Sequence, residues 1–205
     1  MRQFPPTVKH LLIINCLVFM AEWVLPSTAL HLQLDEWISL HYVGSPLFRL
    51  YQPFTYMFGH ASFDHLFFNM FALWMFGRIL ENVWGAKRFL IYYVVCGLGA
   101  AVVEELLQAV GIIPMYGSVI GASGAVYGLL LAFAMLFPNM QMYIIPIPVP
   151  IKAKWMVLGY TVIELVEGIL SVDGVAHFAH LGGMLFGLLL ILYWRKNGNR
   201  YGNGY

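Results

Sequence analysis

A chain of 205 residues in which 60 % are hydrophobic and only 10 % charged is no soluble domain, where about a quarter of residues carry charge. With a mean hydropathy of +0.74 and a net charge of +1, it reads as a polytopic membrane protein, and its charge gives no sign of nucleic-acid binding. The two cysteines, Cys16 and Cys96, fall inside apolar segments and read as small core residues rather than a disulfide framework or metal knot.

In chain order, residues 1–9 are short and basic, with a Pro5-Pro6 pair that resists helix. The apolar run 10–25 predicts a first span. A signal peptide is the rival reading, with Ser27-Thr28-Ala29 as a weak cleavage site, and Glu22 and Trp23 speak against it. Residues 26–59 are aromatic but interrupted by Pro26, Gly44, Pro46 and Pro53, which predicts an outer loop lying at the interface. A second span is predicted over 61–80, with Ser62 and Asp64 suited to its N-terminus, then a turn around Gly85 and a third span over 87–109.

The stretch 118–137, SVIGASGAVYGLLLAFAMLF, carries no charge and predicts a fourth span of twenty residues, about 30 Å long. Pro138 and the prolines at 146, 148 and 150 predict an extended connector. A fifth span over 152–171 contains Glu164 and Glu167 one turn apart. A sixth over 175–194 is closed by Arg195 and Lys196 and followed by a cytosolic tail, 195–205. The expectation is one membrane domain over 1–205, an all-α bundle of six transmembrane helices. With six spans, Arg2, Lys9, Arg78, Lys87, Arg88, Lys152, Lys154, Arg195, Lys196 and Arg200 share one side and only Arg49 lies on the other. The positive-inside rule then puts both termini in the cytoplasm, and a prokaryotic plasma membrane is the expected location.

Each polar residue inside a span costs free energy and needs a reason. Ser123 on the fourth span, His180 on the sixth, and His60, His65 and Asn69 at the outer end of the second fall at one depth. Gly121, Gly124 and Gly128 form one small-residue stripe, and Ala176, His180, Gly183 and Gly187 another, each within roughly 60° on a helix. Such stripes permit a contact between Ser123 and His180 without dictating it. The chemistry this layer suits is nucleophilic acyl transfer, with imidazole as base and the Ser123 amide, His65 and Asn69 as donors to a developing oxyanion. A structural serine bonded to its own helix backbone is the plain alternative. A metal held by His60, His65, His177 and His180 is another, but no HExxH is present and no cysteine or carboxylate stands beside them at ligand spacing. No metal or cofactor is expected.

Gly121-Ala122-Ser123-Gly124, followed by Tyr127, resembles the GxSG motif of the rhomboid intramembrane serine proteases. Ala179-His180 with Gly183 and Gly187 is similar to that family's AHxxGxxxG. His60, His65 and Asn69 match its HxxxxHxxxN, and Gly77, Glu81 and Gly85 its GxxxExxxG. The resemblance implies Ser123 as nucleophile and His180 as base, a dyad with no acidic third member. It implies Tyr127 packed on the His180 ring, an oxyanion hole of His65, Asn69 and the Ser123 amide, His60 bracing the loop, and Glu81 tying the cytosolic turn. It also implies a fifth span acting as a lateral gate, and single-span membrane proteins as substrates, cut near the outer boundary. Tyr51-Gln52 stands where many members carry Trp-Arg, which puts the anchoring of the outer loop in doubt. Two other classes are an inactive rhomboid-like protein that binds membrane clients, and a small transporter using Glu104, Glu105, Glu164 and Glu167. Beyond the lipid bilayer and these clients the sequence names no partner.

The charge asymmetry yields a topology test. Reporters fused after Gly85 and Asn199 should fall on one side of the membrane, and reporters after Pro46 and Ala109 on the other. A C-terminus on the side of Pro46 would contradict six spans.

Overall fold

The computed structural model describes residues 4–24, 34–115, 117–144, 147–170 and 176–197. Arg2, Arg200, the Ser27-Thr28-Ala29 site and most of the tail lie outside them. The described chain is mostly helical: α1 Pro6–Val24, α2 Leu34–Ile38, α3 Gln52–Thr55, α4 Phe63–Ala72, α5 Arg78–Trp84, α6 Ala86–Ala109, α7 Ser123–Leu136, α8 Ala153–Leu170 and α9 His177–Lys196. Among these, α6 and α9 are long and apolar enough to cross a membrane by length and composition alone, and α7 is a shorter apolar helix. The helices around α7 present large apolar side chains outward, among them Leu17, Phe67, Leu98, Val162, Ile169 and Leu189. Several strongly polar ones, including Asn15, Gln52, Asn69, Glu104 and Glu164, are buried inside. That inversion suits a hydrocarbon surrounding, where outward polar groups are penalised.

The second apolar segment starts where Ser62 and Asp64 predict. Ser62 Oγ accepts the His65 amide at 3.1 Å. Instead of ending at 80, the helix runs through a π-helical stretch, Leu73–Gly77, into α5, and stops at Gly85, whose φ of +79° closes it. Glu81 ties a different element from the one expected. Its Oε1 and Oε2 accept the amides of Thr7 and Val8 at 2.9 and 2.8 Å, so it caps the start of α1 as well as lying beside the turn.

Two pairs of strands depart from an all-α reading. Leu40–His41 (β1) pairs antiparallel with Ser118–Val119 (β2), and Gln141–Ile144 (β3) pairs antiparallel with Ile147–Lys152 (β4). The expected extended connector is thus a hairpin, and the expected twenty-residue fourth helix is a strand, a turn and the fourteen-residue α7. The reason is local. Gly117 and Gly121 take φ of +114° and +136°, which a right-handed helix cannot contain, so helix begins only at Ser123. At 1.5 Å per residue α7 is about 21 Å long, shorter than a bilayer core of about 30 Å.

The segment expected to form the outer loop is held by Gln52. The Gln52 side chain is 1 % exposed. Its Oε1 accepts the amides of Arg49 at 3.0 Å and His41 at 3.4 Å, and its Nε2 donates to the carbonyls of Leu47 at 3.0 Å and Trp37 at 3.3 Å. One amide joins α2, β1, the 47–49 turn and α3, because it carries both donors and acceptors. Gln52→Ala should strip that turn of its partners at a cost on the order of 1–3 kcal/mol. A lower melting temperature and faster proteolysis between residues 40 and 52 should follow. Unchanged values for both would remove Gln52 as the anchor.

Candidate active site

The site is assembled where α7 and α9 touch backbone to backbone. Gly183 on α9 lies so close to the Gly124 carbonyl of α7 that any Cβ there would overlap it, and a Cβ on Gly124 would meet the Ala100 Cβ at 2.5 Å. Tyr92 of α6 donates to the Gly128 carbonyl at 2.9 Å, and its hydroxyl fills the space beside Gly187. Small residues on all three helices therefore set the separation of α7 and α9.

At that separation, His180 Nε2 and Ser123 Oγ are 2.8 Å apart. His180 is buried and Ser123 half-buried. The Tyr127 ring, one turn after Ser123, stacks on the imidazole with centroids 4.3 Å apart and planes 7° from parallel. Ser123 is the first residue of α7, so its amide is among the four without an intrahelical acceptor, at the positive end of the helix dipole. The segment before it is fixed by the Gly121 amide donating to the Tyr56 carbonyl at 2.9 Å. Tyr56 in turn donates its hydroxyl to the Gly97 carbonyl on α6 at 2.6 Å.

His65 and Asn69 lie on the facing side. A Cβ on Gly121 would come within 2.6 Å of His65 Cε1 and 2.7 Å of Nε2, which places the ring directly over this turn. Asn69 is buried and donates through Nδ2 to the His65 carbonyl at 2.9 Å, one turn back on α4. The His60 ring sits edge-on to His65 with centroids 5.1 Å apart, and neither of its nitrogens has a hydrogen-bond partner among the described residues. Burial pushes its imidazole down to about 4, helped by the neighbouring His65, so it is neutral at ordinary pH. Its backbone makes the loop contact, the amide donating to Glu22 Oε2 at 3.2 Å.

Behind His180 stands a carboxylate that the sequence reading put elsewhere. Glu164 of α8, one of the four acids in the transporter alternative, is turned into the bundle. Its Oε2 accepts from His180 Nδ1 and from His177 Nδ1, both at 2.8 Å, and its Oε1 accepts from the Tyr127 hydroxyl. The usable signal was present. A carboxylate inside an apolar helix needs a donor on a neighbouring helix, and His177 and His180 stand one turn apart on the next one. Glu164, His177 and His180 also bring potential metal-ligand atoms within 4.8 Å of one another. The histidine–carboxylate contacts among them are mutual hydrogen bonds. The four-histidine set weighed from sequence does not converge in this way among the described residues, since His65 lies over the Gly121 turn with His60 edge-on to it, while His177 bonds Glu164 behind His180.

The Rhomboid domain family matches residues 47–197. Rhomboid protein 1, mitochondrial, of Saccharomyces cerevisiae is 32 % identical over 92 % of this chain and 53 % of its own length. Presenilin-associated rhomboid-like protein, mitochondrial, of Homo sapiens is 28 % identical over 91 % of this chain and 48 % of its own. Rhomboid-like protein 11, chloroplastic, of Arabidopsis thaliana is 32 % identical over 69 % and 51 %. The chain thus spans about half the length of these relatives. They overturn the expected prokaryotic plasma membrane, because the relatives are named for mitochondria and chloroplasts and point to an organellar membrane. Charge bias could not have shown this: it fixes which side the basic residues take, not which membrane they take it in.

The crowding at Gly121 gives a direct test. Gly121→Ala adds a Cβ at a positive φ and against His65, so the donor side of the site must shift. Reaction of Ser123 with a fluorophosphonate should slow by about 10²- to 10³-fold, as for loss of an oxyanion donor, while the melting temperature shows the protein still folded. An unchanged rate would mean that His65 and this turn have no part in the chemistry.

Proposed function

This chain belongs to the rhomboid family, and from that premise we propose that it is an intramembrane serine endopeptidase acting within an organellar membrane. The observation that carries the reading is the 2.8 Å contact between Ser123 Oγ and His180 Nε2 across a glycine-packed helix interface. A lone serine hydroxyl is a poor nucleophile, and a base within hydrogen-bond reach makes it a good one.

In this reading the chain is one membrane domain with six spans, α1, α4–α5, α6, α7, α8 and α9, and the outer loop covers the side on which Ser123 opens. The His180 Nε2 lone pair takes the Ser123 proton as Oγ bonds to the scissile carbonyl carbon. The Ser123 amide, His65 and Asn69 hold the oxyanion. The same proton passes from Nε2 to the leaving amine, and water, deprotonated by His180, then releases the acyl group from Ser123. His60 and Tyr127 fix the rings of His65 and His180. The substrate is a membrane-spanning protein with a peptide bond exposed near the outer boundary, since Ser123 lies at the outer end of a buried helix.

Purified protein should react with a fluorophosphonate at Ser123 alone, and Ser123→Ala should abolish labelling. His180→Ala should slow it by about 10² to 10⁴, and chelators should leave it unchanged. Folded wild-type protein that stays unlabelled while a control hydrolase is labelled would overturn the protease reading in favour of a client-binding fold.

A further inference from the structure

We infer that Glu164 is a positioning residue for the base, so that Ser123, His180 and Glu164 act as a hydrogen-bonded series rather than Ser123 and His180 alone. The inference rests on the protease reading above. Its basis is geometric. Glu164 Oε2 lies 2.8 Å from His180 Nδ1, and His180 Nε2 lies 2.8 Å from Ser123 Oγ, so the imidazole is held at both nitrogens. An ionised carboxylate only accepts, which puts the single proton of the neutral ring on Nδ1 and leaves Nε2 as the lone pair facing the serine. With no such acceptor, the tautomer carrying its proton on Nε2 would be equally open to His180, and that form cannot receive the serine proton.

The carboxylate is itself held in place. Tyr127 donates to Oε1, and His177 donates to the oxygen that His180 uses, at 2.8 Å. Three donors from α7 and α9 satisfy a charge buried within the bundle, so it is not left unpaired among apolar side chains. Tyr127 meets both ends of this arrangement, because its ring stacks on His180 while its hydroxyl binds Glu164. When Oγ attacks and its proton moves to Nε2, the ring becomes a cation 2.8 Å from Glu164. Glu164 stabilises that cation and takes no proton. The proton leaves from Nε2 to the amine of the departing peptide, which restores the neutral ring with its proton on Nδ1. Glu164 also comes from α8, which packs against both α7 and α9. Displacing α8 would withdraw the acceptor from His180, so the base is correctly set only with α8 packed in place.

The test uses the full chain in detergent micelles or nanodiscs, with wild type, Glu164→Gln and Ser123→Ala. Nitrogen-15 spectra of the histidine rings report which nitrogen carries the proton. Wild-type His180 should be the Nδ1–H form, and in Glu164→Gln the Nε2–H form should become populated, because a carboxamide can donate to Nδ1. Fluorophosphonate labelling and kcat for a transmembrane peptide should fall together by about 10²- to 10⁴-fold in Glu164→Gln, with KM within twofold of wild type. A purely structural glutamate would instead lower the melting temperature and raise KM while leaving the tautomer alone. Two results would overturn the inference: wild-type His180 in the Nε2–H form, or Glu164→Gln labelling at a rate within threefold of wild type. Should Glu164→Gln fail to fold, the wild-type tautomer still decides. Failure of the parent reading looks different, since wild type itself would then not be labelled.

Discussion

The contact on which the rest of the molecule depends is the one between Gly124 of α7 and Gly183 of α9, where two backbones meet with no side chain between them. In hydrocarbon there is no hydrophobic effect to drive helices together, so close packing and internal hydrogen bonds must do so. Any Cβ at Gly183 would push α9 off α7 by far more than the slack in a 2.8 Å hydrogen bond. The Ser123–His180 distance therefore comes from residues that touch neither of the two bonded atoms. Tyr92 and Cys96 of α6 fill the space beside Gly128 and Gly187 and keep the pair from sliding.

The same economy governs the polar groups. Several buried polar side chains join separate elements: Gln52 gathers α2, β1 and α3, Glu81 caps α1 from α5, and Glu164 draws α7, α8 and α9 together. With one donor or acceptor removed, the remaining partners stay desolvated, and the penalty exceeds the net value of the bond. Gln52 also shows how a departure from a family pattern is absorbed. A carboxamide has a donor group and an acceptor oxygen, so it can bind carbonyls as an arginine would while also receiving the amides of Arg49 and His41.

Much of this was legible in the sequence. The starts and ends of α6, α8 and α9 fall within about two residues of the predicted spans, because long apolar runs bounded by charge or glycine leave little choice. That Ser123, His180, His65 and Asn69 share one layer is readable from their depth in the expected spans, whereas their spacing permits contact without dictating it. Three things were not. The helix containing Ser123 was drawn too long, since twenty uncharged residues look alike to a hydropathy reading, whereas the positive φ of Gly121 belongs to the backbone. The pairing of β1 with β2 joins residues nearly eighty positions apart and leaves no local periodicity. Glu164 is legible as an acid within a span, one turn from Glu167, but its partners are not, because helical phase says which residues share a face and not which neighbour that face meets.

If the chain is the protease proposed above, the shortness of α7 also bears on how the second reactant reaches Ser123. Proteolysis consumes a water molecule for every bond cut, and a bilayer interior offers almost none. Ser123, the first residue of α7, meets His180, the fourth residue of α9, so α7 begins about one turn inside the start of its neighbour. A site recessed in that way could take water from the aqueous side while the outward apolar side chains meet lipid. The fold would thus hold its reacting serine at the depth of a membrane-embedded peptide bond while keeping it wet.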